Sequence, residues 1–210
     1  MQNSSSKPTK TNSLGENIGQ FSSRDRILAA ALKLFVEQGY FNTNIPDLSR
    51  ESKCSVGSIY HNFKNKEEVG RALYLESLKA FRKTIGEALS YAKTTEEAVK
   101  LLVQAFMQFS EKNLLLSRYI WLCRHNEFMN GIFEHPTRVG FDEVGRKLTK
   151  FLKLGIKEGA IQNLSANLIW SVLFGIPAGY VRDWLDGHNT ESPEAVADRI
   201  GELCWRALKK

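Results

Sequence analysis

The sequence predicts an all-α protein of about nine helices, with an N-terminal three-helix unit holding a helix-turn-helix and a larger helical unit after it. Three observations predict this. Apolar residues recur at helical spacing almost everywhere after residue 21, no stretch alternates with the period of two that marks a half-buried strand, and no Asn-Gly or Asp-Gly hairpin joins β-branched runs. At 210 residues, 42% hydrophobic and 25% charged, the chain has the composition of an ordinary globular protein with room for two units.

Residues 1–21 are rich in Ser, Asn, Thr, Lys and Gly and offer almost nothing to bury, so they are expected to form a disordered arm. The first helix is predicted from Ser23 to Gln38. Ser22 and Asp25 have capping-box spacing, Ile27, Ala31, Leu34 and Phe35 form one apolar stripe, and Gly39 closes the end. A short helix follows over Ile45–Ser52, capped by Thr43 or Asn44, with Pro46 tolerated in its first turn. After a break at Lys53-Cys54 comes a second short helix, Ser55–Asn62. A long helix then runs from Lys66 to about Tyr91, with Leu78, Phe81, Ile85 and Leu89 on one face. Thr94 and Glu97 open a fifth helix carrying Leu101, Leu102, Ala105 and Phe109, and an aromatic helix covers Leu114–Arg124. The last three span Thr137–Glu158, ended by Gly159, then Ala166–Leu185 and Pro193–Leu208, capped by Ser165 and Ser192. The domain expectation is an arm (1–21), a helix-turn-helix head (22–67) and a regulatory body (68–210).

Charge and cysteine usage narrow the function. The net charge of +6 permits a nucleic-acid partner, and the first 71 residues carry ten Lys or Arg against seven Asp or Glu. Cys54, Cys123 and Cys204 are far apart with no CxxC pair, which predicts reduced thiols rather than a zinc ribbon or disulfide framework. The polar start lacks a signal-peptide core, and the apolar run Leu168–Val181 is too short and interrupted to cross a bilayer. A soluble, cytoplasmic protein is expected.

The two short helices carry the chemistry. In a helix-turn-helix the first crosses the phosphate backbone and holds the second in the major groove, where side chains meet base edges. The groove-facing side must be small and polar. Ser55, Gly57, Ser58 and His61 meet that need, while Ile59 and Phe63 face inward and Tyr60 lies where a phenol can bond a phosphate. The run Gly39-Tyr40, Thr43, Ile45, Asp47-Leu48, Ser55, Gly57, Ser58-Ile59-Tyr60-His61, Phe63 and Lys66-Glu67 resembles the tetracycline-repressor (TetR) family signature. Ile27, Ala30-Ala31 and Leu34-Phe35 match that family's first helix.

The resemblance implies a homodimer that reads double-stranded DNA at a palindromic operator and carries a helical domain for a small-molecule effector. It also implies that Thr43 caps the second helix and touches phosphate, and that Ser55, Val56, Gly57 and Ser58 face the groove. Tyr60 and His61 would contact phosphate or base, and Lys66 phosphate. Four positions depart from the family. Ser52-Lys53 stands in place of the usual Ala-Gly, Val56 in place of a common Lys or Arg, and Ser49 in place of a common Ala. A left-handed Lys53 costs about 1 kcal/mol relative to Gly.

In the body, Phe106, Phe109, Trp121, Phe128, Trp170 and Phe174 with His125 are the candidate effector-binding residues, because bulky side chains on several helices tend to open bundle pockets. They favour a mainly apolar effector, with an acidic group accommodated if Arg118 or Arg124 points inward. Leu168, Ile169, Val172, Leu173, Ile176 and Tyr180 leave the penultimate helix apolar nearly all round, so residues 165–208 are expected to form the dimer contact. Two other function classes remain. His125, Glu127, Glu134 and His135 would suit a metal-dependent hydrolase, but their spacing is not that of a helical HExxH. An adaptor that binds only proteins is the other. No cofactor fingerprint is present, and an enzyme is not expected.

Overall fold

The computed structural model describes residues 22–123 and 143–210, and every regular element among them is helical. The expected arm (1–21), Arg124 and the start of the seventh helix lie outside the described residues.

The head is built from α1 (Ser23–Glu37), α2 (Ile45–Ser52) and α3 (Val56–Asn62). Ser22 and Asp25 form the reciprocal capping box that their spacing predicts, so two N–H groups at the start of α1 are satisfied locally. Ile27, Ala31 and Phe35 on α1 are buried with Leu48 of α2 and Ile59 of α3, forming one small core. Lys53 ends α2 in the left-handed region, φ 55° and ψ 32°, a conformation that glycine adopts with less strain.

The body begins within α4 (Lys66–Leu89), the long helix that leaves the head without a break. Its buried face is Leu73, Leu78, Phe81, Ile85 and Leu89. Against it pack α5 (Thr95–Lys112), α6 (Leu114–Leu122) and α7 (Glu143–Lys157). α7 approaches its neighbours so closely that a Cβ on Gly155 would sit 2.6 Å from Thr95 Cγ2. The Thr95 hydroxyl is itself held there, donating to the Phe151 carbonyl at 3.0 Å.

The helix expected over Ala166–Leu185 is present but interrupted. It comprises α8 (Ala166–Trp170), a π turn at Ser171–Gly175 and α9 (Ile176–Leu185). Pro177 supplies the reason: it has no N–H for the carbonyl of Leu173, and its ring crowds that position, so the chain widens by a residue instead. The Cys204 thiol of α10 (Pro193–Leu208) lies 3.4 Å from the Val172 carbonyl in this turn. Burial pushes that thiol up to about 12, so it remains protonated and able to donate. α10 lies along α5, with Lys100 bridging Glu96 on its own helix and Glu202 on α10 at 2.6 and 2.8 Å.

Candidate nucleic-acid interface

Ser55 caps α3 by accepting the Ser58 N–H at 3.1 Å, which fixes where the helix starts. From that start, one face turns inward and one outward. Ile59 and the following Phe63 are buried, whereas Ser55, Gly57 and His61 are exposed and Ser58 is half-buried. Val56 and Tyr60 complete the outer face at 42% and 54% exposure, high values for apolar and aromatic side chains. Six of the eight residues expected to meet DNA therefore share one accessible surface. α3 is held against α1 and the turn by side chains outside that surface. Asn62 donates to the Ser23 hydroxyl at 3.1 Å, and Ser49 donates to the Cys54 carbonyl at 2.7 Å. Ser49, which replaces the family's common alanine, thus pins the turn between the two short helices.

Thr43 does not cap α2. The N-cap of α2 is Asn44, whose side chain accepts the Asp47 N–H at 2.9 Å and is answered by Asp47 in a full capping box. Thr43 is only 1% exposed, and its hydroxyl donates to the Gly39 carbonyl at 2.9 Å, so it closes the α1–α2 turn from inside and presents no side chain to a phosphate. Lys66, expected to bind phosphate, is engaged within the protein. Its ammonium donates to the carbonyls of Tyr40 (3.0 Å) and Thr43 (2.9 Å) and lies 4.3 Å from the centre of the Tyr40 ring. Burial lowers its pKa. The side chain is a clamp from α4 onto the head's first turn, joining residues 23 and 26 apart, a pairing that no local pattern signals.

The family described as "Bacterial regulatory proteins, tetR family" matches residues 27–73, the stretch from α1 into α4 that builds this head. The head is thus similar to the DNA-binding part of that family. An uncharacterised HTH-type transcriptional regulator of Bacillus subtilis, YhgD, is 25% identical over 182 residues, covering 81% of this chain and 88% of that one. A TetR family transcription regulator from Marinobacter aquaeolei superposes with a TM-score of 0.74 at 16% identity, over 90% of this chain and 96% of that one. FadR from Bacillus subtilis, solved in complex with stearoyl-CoA, does so with a TM-score of 0.66 at 21% identity, over 87% and 98%.

In the body, the described members of the aromatic set come together. Phe106 stacks on Trp121 at 4.9 Å between ring centres, Phe81 meets both at their edges, and Phe174 lies 6.4 Å from Phe106 and 5.5 Å from Trp170. Phe109 joins through Phe81 at 5.3 Å. The rings are in contact, so an effector entering here must part them. The indole N–H of Trp121 is buried with no hydrogen-bond partner among the described residues, a polar group that a ligand could engage. His125, Phe128 and the metal-site candidates Glu127, Glu134 and His135 lie outside the described residues.

α6 links this cluster to the head. Tyr119 donates its hydroxyl to the Gly70 carbonyl of α4 at 3.0 Å and stacks 6.3 Å from Phe35 of α1. Among the described residues no helix is long and apolar enough to cross a membrane.

Proposed function

We propose that this protein is a cytoplasmic TetR-family repressor that binds a palindromic operator as a homodimer and releases it when a mainly apolar small molecule enters the body. The observation that carries the proposal is the outer face of α3, where small polar groups and Tyr60 are exposed while Ile59 and Phe63 anchor the helix beneath. Ser55, Val56, Gly57, Ser58 and His61 are assigned to the groove and Tyr60 to a phosphate. Thr43 and Lys66 shape the turn beside them. The corresponding division of the chain is an arm (1–21), a head (22–67) and a body (68–210), with α4 shared by the last two.

The dimer is assigned to 165–208. Leu168 and Ile176 stay exposed on the α8–α9 rod and Leu203 on α10. A Cβ placed on Gly175 or Gly179 would meet no atom within 4 Å, so both glycines lie on open surface where a second helix can approach closely. The bound stearoyl-CoA of the FadR structure supports an effector with a large apolar part, as does the aromatic cluster around Trp121. Release requires differential binding: about 1.4 kcal/mol of coupling gives a tenfold loss of operator affinity. Selection from random duplexes tests the DNA-binding half of the proposal. Enrichment of an inverted repeat is expected, and a library that returns no enriched motif refutes it.

A further inference from the structure

We propose that a cleft between the head and the body is a second ligand site, suited to a compact aromatic anion. The cleft measures about 310 Å³, at the small end of the roughly 300–1,000 Å³ usual for ligand sites. Val36, Phe41 and Asn42 wall it on the head side, and Arg118, Leu122 and Cys123 on the side of α6. None of the rings assigned to the effector cluster lines it.

Two features of the lining select the ligand chemistry. Phe41 is 65% exposed, with its ring edge-on to Tyr40 at 5.4 Å, so an apolar aromatic surface stands uncovered at the mouth. Arg118 supplies the charge. One of its N–H groups donates to the Leu185 carbonyl at 2.8 Å, and no Asp or Glu is among the residues that line the cleft with it. A planar anion satisfies both, its ring against Phe41 and its carboxylate on the remaining N–H groups of Arg118. Since one wall belongs to the head and the other to the body, a ligand here biases the angle between them. Only that consequence rests on the DNA-binding reading; the binding itself does not.

The test is calorimetric titration of the full chain with naphthalene-2-carboxylate and with its neutral amide. One equivalent of the carboxylate is expected to bind per chain. Arg118→Gln should weaken it tenfold or more while leaving the amide unchanged, and Phe41→Ala should weaken both. Saturating carboxylate should also slow alkylation of Cys123 by iodoacetamide, followed by peptide mapping. Phe41 is exposed, so its variant folds even if Arg118→Gln does not. Absence of binding at millimolar carboxylate, unchanged affinity in the folded variants, or unprotected Cys123 overturns the proposal. No operator enters the experiment, so failure here and failure of DNA recognition are separate results.

Discussion

Replacing Lys53 with glycine is expected to stabilise the head. Lys53 is the one non-glycine residue with positive φ among the described residues. A side chain in that conformation costs about 1–2 kcal/mol. Glycine would remove the cost but lose about 0.4–1 kcal/mol through the greater freedom of its unfolded chain. The net gain is therefore about 0.5–1 kcal/mol. Lys53 is exposed at the end of α2, so its side chain gives up little packing. Urea unfolding of the wild type, Lys53→Gly and Lys53→Ala reads the effect directly. The midpoint should rise for glycine alone, at unchanged slope. Alanine keeps the strained Cβ and should stay near the wild type. For a chain of this size the glycine gain corresponds to a Tm rise of roughly 1–4 °C. If alanine stabilised as much as glycine, or glycine destabilised, backbone strain at the turn would not be the controlling factor.

Three further outcomes follow from the same structure. Lys66→Met removes two hydrogen bonds from an ammonium and its contact with the Tyr40 ring, and should destabilise the chain by about 1–2 kcal/mol. The salt dependence of operator binding should stay as it was; a slope lower by about one would mean that Lys66 touches phosphate after all. Gly155→Ala forces a Cβ onto the buried Thr95 side chain at 2.6 Å and should cost about 1–3 kcal/mol in chemical unfolding, unless α7 shifts freely. Ile176→Glu places a charge on the open face of the α8–α9 rod and should give folded monomers by ultracentrifugation. A persisting dimer would move the interface elsewhere.

Local chemistry made most of the fold legible. Capping side chains, apolar spacing and the glycine position occupied by Lys53 each act within a few residues, and they place α1–α3 and α10 within a residue of their expected ends. Thr43 and Asn44 were both able to cap α2. Only the packed turn decides between them, because it buries the threonine and leaves the asparagine at the helix start. The π turn escaped because its cause, Pro177 seated against Leu173, changes the hydrogen-bond pattern without changing the apolar spacing. The clamp of Lys66 and the cleft beside Arg118 are tertiary, joining α4 or α6 to a turn dozens of residues away. Aromatic content marked the Phe106–Trp121–Phe174 cluster, but composition does not distinguish rings that line a space from rings that fill it.

On the proposed function, the outer face of α3 selects a DNA sequence while Tyr60 holds the backbone. The most direct measurement is the affinity of wild type, Ser58→Ala and Tyr60→Phe for the enriched duplex and for every single-base variant of it. Tyr60→Phe should weaken binding to all duplexes by a similar factor, because a phosphate contact carries no sequence information. Ser58→Ala should change the ranking at one position of each half-site, where a lost base contact is worth about 1–3 kcal/mol. If both variants reproduced the wild-type ranking and affinities, α3 would not be the reading element.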